Sequence, residues 1–345
     1  MPAKGAAMTG KERFLNIMRR QSDHCGFWHG NPNEASTDVI YSYFGVKDDF
    51  ELGLKLGSTF RWIMPEHNGL WRDKSRPMFD VLGGKGRKSL SQPGVFAECE
   101  SVDEVQRHHW PDPRLCDFSG TLREMDRTAA AGQAVASGSW SMFFHVVSDY
   151  FGMENYFIKM YTDPEVVDAV TKRVVDIYLE INEALYKAAG DRIDALFFGN
   201  DFGSQLDLLV SPECFDRFVM PYFRQLTDQA HRHGLHVLLH SCGAIERVIP
   251  RLIEAGVEAL HPIQARARDM DAETLAKKYG EDIVFVGGLD TQHLLPFCSA
   301  DEVRDEVRRL KRLFGPNFIV SPSHESILPN VPPENIEAMV LAAHE

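Results

Sequence analysis

The sequence predicts an α/β fold, a (β/α)8 TIM barrel with an N-terminal helical cap and an insertion after strand two. Three observations point there. Five strand-then-helix units follow one another without a break between residues 195 and 343. Three earlier apolar runs bring the strand count to eight. No G-x-G-x-x-G turn follows any strand, so the rival open, doubly wound sheet lacks its dinucleotide fingerprint.

The elements follow in order. TGKERFLNIMRR (9–20) reads as a capped helix ahead of any strand. FWHGN (27–31) and TFRWIMP (59–65) are strands one and two, and AVASGSW (134–140) is strand three. Residues 66–130 break the alternation and form the insertion, where GGKGRK (83–88) reads as a turn between two short strands. A long helix spans 163–190, opened by Asp163 and Pro164.

The second half is regular. ALFFGNDF (195–202) is a buried strand. Residues 211–234 carry Phe215, Phe218, Val219, Phe223 and Leu226 at helical period, with Ser211 as N-cap and Pro212 in the first turn. LHVLLHSCG (235–243) is a strand, and AIERVIPRLIEAG (244–256) a helix that Pro250 should bend. ALHPIQ (259–264), IVFVGGLD (283–290) and FIVSPSH (318–324) are the last strands. Between and after them lie helices at 271–280, 299–315 and 332–343, the second opened by a Ser299/Glu302 capping box. With no repeat, low-complexity tract or linker, 1–345 reads as one domain.

Composition narrows the function. A formal net charge of −13 argues against a nucleic-acid partner. The basic run RRLKRL (308–313) lies on a helix and reads as a solvated face. No apolar run nears the ~20 residues that span a bilayer, so no membrane role is expected. The start MPAKGAAMTGKERF has no apolar core of a secretory leader, which makes cytoplasm the expected location. Six scattered cysteines do not form a disulfide framework, and Cys214 reads as helix packing.

Barrel active sites gather at the C-terminal ends of the strands. There the sequence places Asn31, Glu66, Trp140, Asn200, Asp201, His240, Cys242, His261, Gln264, Asp290, His324 and Glu325. The pattern H-x-C in HSCG (240–243) stands out. Residues i and i+2 of a strand point to one side, so His240 and Cys242 can face the barrel mouth together. Imidazole and thiolate are preferred zinc ligands, and a catalytic zinc takes a third from the protein. His324, at the end of strand eight, is the candidate. Plainer roles stand beside these: His240 hydrogen-bonded in the wall, Cys242 a small buried hydrophobe before a glycine turn, Asp201 and Asp290 as caps or turn-formers, Trp140 as barrel lining, Gln264 bonded to a neighbouring loop.

Six segments carry a resemblance: GNDFGSQ (199–205), SPECFDRFVMPYF (211–223), HSCG, GVEALHPIQ (256–264), VFVGGLDTQHLL (284–295) and SPSHESILPNVPPENIEAM (321–339). Together they resemble the uroporphyrinogen decarboxylase superfamily, from about residue 134 to the end. True uroporphyrinogen decarboxylases carry an arginine-rich motif after the first helix that clamps their acidic substrate. Here that region reads DHCGFWHGNPNEAST (23–37), without an arginine. The H-x-C is similar instead to the branch of cobalamin-dependent methyltransferases that work with corrinoid proteins and coenzyme M. Those add a cysteine near the last strand, where this chain has His324.

The resemblance implies a zinc-dependent methyltransferase that moves a methyl group between a small methylated substrate or thiol and a corrinoid (cobalamin) on a carrier protein. It implies zinc on His240, Cys242 and His324, proton handling by Asp201, Glu66, Glu325 or His324, and Asn31, Trp140, Gln205, Gln264 and Asp290 facing the cofactor. Trp28, Trp62 and Trp140 would form an apolar wall. A metal-independent decarboxylase of another carboxylated substrate, with Asp201 and His324 as acid–base pair, is the alternative. A barrel that binds a tetrapyrrole or corrinoid without turnover is a third reading.

Overall fold

The structure is a computed structural model and describes residues 8–345. The first seven residues, on which the reading of the N-terminus partly rests, lie outside the described residues. Eight parallel strands form a nearly closed barrel: β1 (Gly26–Phe27), β2 (Phe60–Ile63), β3 (Ala134–Ser137), β4 (Ala195–Gly199), β5 (His236–His240), β6 (Ala259–Ile263), β7 (Val284–Leu289) and β8 (Phe318–Pro322). The ladder runs β1-β8-β7-β6-β5-β4-β3-β2. At the seam between β1 and β2, Thr59 donates its backbone N–H (2.8 Å) and its hydroxyl (3.1 Å) to the Phe27 carbonyl.

Strand alternation divides the apolar residues between two cores. Inward-facing residues fill the barrel with small groups opposite large ones. Ala134, Ala136, Ala195 and Ala259 leave room for Trp28, Phe60, Trp62 and Phe197. Trp62 stacks on Phe197 with ring centroids 4.1 Å apart. Outward residues such as Val135, Phe198, Leu239 and Phe285 pack under the surrounding helices. The N-terminal helix (Gly10–Met18) opens with a Thr9/Glu12 capping box and sends Phe14 and Ile17 into the barrel core.

Several elements differ from expectation. No strands flank GGKGRK; residues 81–94 form turns. The stretch is rich in Gly, Lys and Ser and has no alternating apolar face to bury. The insertion instead contributes a short helix, Val102–Arg107, and Ser119–Ala130 is the helix that crosses from β2 to β3. Pro250 does not bend a long helix. It lies in the first turn of Ile249–Glu254, where its missing N–H is not needed. The helix at 211–234 divides into Pro212–Phe218 and Met220–Arg232, with Pro221 in the first turn of the second. Two helices, Phe144–Phe151 and Met153–Thr162, precede the long Pro164–Ala189 helix.

Outside the barrel, Asn31–Pro32 pairs with Ser326–Ile327. This ladder anchors the loop after β8, and Asn31 donates its N–H to the Glu325 carbonyl at 2.7 Å. Among the described residues, no helix is long and apolar enough to cross a membrane.

Candidate metal centre at the barrel mouth

Register places the site. Gly199 of β4 pairs with His240 of β5, and His240 pairs with His261 of β6. β5 ends at His240, and the Cys242 side chain, two residues on, lies on the same side. Its Sγ lies 3.5 Å from His240 Nε2. Gly243 then turns with φ of +94°, and a Cβ there would stand 2.3 Å from the Gly203 backbone. The glycine of HSCG is thus required by a backbone crossing directly behind the cysteine.

Asp201, just past β4, meets this pair. Its Oδ1 accepts the Cys242 N–H (2.8 Å) and lies 3.3 Å from His240 Nε2. One donor atom from each of Asp201, His240 and Cys242 falls within 4.8 Å of the others. Tetrahedral zinc with bonds near 2.0 Å to N or O and 2.3 Å to S sets an N/S pair about 3.5 Å apart and an N/O pair about 3.3 Å apart. The observed edges match both, so the residues present fit zinc. His324 stands beside them. Its Nδ1 accepts the Ser326 N–H (3.0 Å), and its ring centroid lies 6.2 Å from that of His240. The geometry therefore brings Asp201 into the triangle and leaves His324 outside it.

Behind His240 lies a buried polar layer. His240 Nδ1 is 3.0 Å from His261 Nδ1 and 3.4 Å from Glu325 Oε2. With Nε2 turned to a metal, Nδ1 carries the proton and donates it to one of these two. Taking that bond, His261 keeps its own proton on Nε2. That atom is buried without a hydrogen-bond partner, and its ring packs edge-on against Trp28 (centroids 5.0 Å apart).

The charges are coupled. Burial opposes charge on His240, but Glu325, Cys242 and Asp201 outweigh it and hold its pKa well above the ordinary value. Burial raises the Cys242 thiol, and the His240 and His324 rings more than reverse this, lowering it. Burial likewise works against the Asp201 carboxylate, yet His240, the Cys242 N–H and His145 bring it down to about 2. The three shifts have one cause, the mutual attraction of His240 with Cys242 and Asp201 at close range. His261 is pushed well below the ordinary value by burial and by the neighbouring His240 and His324.

The other strand-end residues scatter in role. Glu66 Oε1 accepts the Trp140 N–H (2.6 Å) and ties the loop after β2 to that after β3. Trp140 stacks on His145, 5.1 Å between rings, and sits 6.0 Å from His240. His145 accepts the Asp201 N–H (3.0 Å); it opens a helix rather than ending a strand, so no strand-end pattern marked it. Asn200 is fully buried, and its Oδ1 caps Phe144 N. Gln264 Oε1 accepts the Gly243 N–H, and Asp290 accepts the Gln292 N–H and pairs with Arg266 at 3.4 Å. Asn31 is half-buried in the outer ladder, and exposed Gln205 accepts Arg268 N–H at its carbonyl. Trp28 and Trp62 do not wall the mouth. At 1% and 5% exposure they belong to the barrel core beneath it, packed on Phe60 and Phe197.

Known proteins frame this site. A family profile described as Uroporphyrinogen decarboxylase (URO-D) matches residues 91–345. Curated relatives include the uroporphyrinogen decarboxylases of Geobacter sp. (strain M21) and Citrifermentans bemidjiense, each 27% identical over 191 residues. The matched stretch is 54% of this chain, and it spans half the length of those relatives. A methyltransferase from Methanosarcina mazei shares the fold, with a TM-score of 0.61 at 16% identity, over 98% of this chain and 99% of that one. With the profile matching well over half of its length, the chain belongs to the uroporphyrinogen decarboxylase family.

Proposed function

We propose that this protein is a zinc-dependent methyltransferase that moves a methyl group between a small methylated substrate or thiol and a corrinoid carrier protein. The observation that carries the reading is the triangle of Asp201 Oδ1, His240 Nε2 and Cys242 Sγ, whose 3.3 and 3.5 Å edges are those of a tetrahedral ligand set. Two others support it: the fold shared with the Methanosarcina methyltransferase, and the lack of arginine in residues 23–37, where an acidic tetrapyrrole would need cations.

Asp201, His240 and Cys242 would hold the metal, and His324, whose Nδ1 takes the Ser326 N–H, would turn its Nε2–H toward the Cys242 sulfur. When bound, zinc supplies Lewis acidity to a substrate oxygen or sulfur, and the carrier's corrinoid supplies the methyl donor or acceptor. Glu325 and His261 fix the His240 ring from behind. Glu66 ties down the Trp140 loop, and Asn31, Trp140, Gln205, Gln264 and Asp290 would be the residues that face the cofactor. The location proposed is the cytoplasm. Plasma mass spectrometry on wild type and Cys242→Ala tests the reading. One zinc per wild-type chain, lost in the variant, is expected; no stoichiometric metal after zinc is offered at neutral pH overturns it.

A second reading rests on the curated relatives, which are named uroporphyrinogen decarboxylases. In it Asp201, ionised down to about pH 2, would stabilise positive charge on a carboxylated substrate, with His324 as the proton carrier. Carbon dioxide release by metal-free protein would single it out.

A further inference from the structure

Beside His324 the mouth opens into a cavity of about 480 Å³ between the loops that follow β6, β7 and β8. That volume suits a small molecule. Gln264, Gln292, Ser323, His324, Ser326 and Asn330 line it. None of its lining residues is Asp, Glu, Lys or Arg. Part of this hydrogen-bonding surface is already used. Gln264 Oε1 takes the Gly243 N–H, Ser323 Oγ the Thr291 N–H, and His324 Nδ1 the Ser326 N–H. Left for a ligand are the Gln264 amide N–H groups, the Ser326 hydroxyl, and the Gln292 and Asn330 amides. That is a set rich in both donors and acceptors.

The charges around the cavity are spent elsewhere. Arg266 is paired with Asp290. His324, the one titratable group of the lining, has the Glu325 carboxylate 3.4 Å from its Nδ1, and His240 beyond it is paired with Asp201. A carboxylate or sulfonate entering here would lose water and meet no unpaired cation, which is costly. A hydroxyl or amide would exchange water for the waiting side chains at little loss. His324 belongs to both places: it lines the cavity, and its ring stands edge-on to His240 with centroids 6.2 Å apart. A molecule seated in the cavity therefore has its inner end at the ligand triangle.

We propose that this cavity is the substrate pocket and that it takes a neutral molecule bearing hydroxyl or amide groups, excluding anionic thiols and acids. The assignment of its inner end to methyl transfer rests on the function proposed above; its preference for neutral ligands does not. Ligand-observed NMR on the full chain, metal-free and zinc-loaded, tests it with two probes of similar size, 1-thioglycerol and 2-mercaptoethanesulfonate. Thioglycerol is expected to bind about tenfold more tightly than the sulfonate in both forms, a difference of about one good hydrogen bond or unpaired charge. Ser326→Ala and Asn330→Ala, both on the outer wall, should each weaken thioglycerol severalfold and leave the sulfonate unchanged. Equal or tighter sulfonate binding, or thioglycerol binding indifferent to both variants, overturns the proposal. A protein that takes up no zinc yet prefers thioglycerol keeps the pocket and loses the metal reading. A protein that binds zinc without the preference does the reverse.

Discussion

Asp201→Asn separates a metal ligand from a proton carrier. The amide keeps the shape of the carboxylate, and its oxygen can still accept the Cys242 N–H that Asp201 Oδ1 takes at 2.8 Å. What it loses is the charge 3.3 Å from His240 Nε2. Zinc held by four protein ligands is worth roughly 10–16 kcal/mol near neutral pH, so one ligand's share is about 3 kcal/mol. That corresponds to a dissociation constant raised about a hundredfold. Competition of zinc with a chromophoric chelator near neutral pH measures it, with thermal unfolding of the metal-free proteins as the check on folding. His324→Ala, which removes a ring standing edge-on to His240 outside the triangle, should cost less, about tenfold. If Asp201→Asn binds zinc within about twofold of wild type while Cys242→Ala does not bind it, Asp201 is no ligand and the triangle argument fails.

Other consequences follow from the same geometry. Zinc affinity should rise with pH, because His240 is held protonated above its ordinary range and must release that proton to bind; affinities that stay flat between pH 6 and 8, roughly the span of histidine titration, would contradict this. Gly243→Ala should destabilise the fold by about 3 kcal/mol or more, as its Cβ would strike the Gly203 backbone at a φ of +94°. Gly84→Ala, at a φ of +76° with open space around it, should cost only about 1 kcal/mol, and equal melting points for the two variants would refute the crossing argument. Phe197→Ala should lower stability by about 3–5 kcal/mol in urea unfolding, since the ring is fully buried and stacked on Trp62. Glu258→Gln probes the base of the barrel. Burial opposes the Glu258 carboxylate, but His236, the Val237 N–H and His231 lower its pKa. Its stabilisation is therefore present above the ordinary glutamate value of about 4.3 and is lost as pH falls through the lowered folded value. Wild type should exceed the variant at neutral pH, with the gap closing under acid; a gap that persists there would refute it.

Much of the fold was legible because its signals are local. Apolar runs marked the strands, Ser299 and Glu302 marked a helix start, and Ser211 with Pro212 another; each depends on neighbours a few residues away. The insertion was misread at GGKGRK because turn residues say where a chain reverses, not whether strands flank it. The site was half legible for the same reason. Period-two parity placed His240 and Cys242 on one side of a strand, and both face the mouth together. Parity gives direction but no partner. Pairing of β4 with β5 brings their ends side by side, and the curl of the sheet brings β8 round toward them, so only the tertiary structure set Asp201 Oδ1 within 3.3 Å of His240 Nε2 and His324 edge-on to His240. It alone sank Trp28 and Trp62 into the core, where alanines on facing strands leave space for them. It also put His261 and Glu325 behind His240 and His145 behind Asp201. The sequence by itself thus determined which chemistry the strand ends carry. The closed barrel decided which of those groups touch, because contacts between residues far apart in the chain follow from strand register and packing, which no local pattern records.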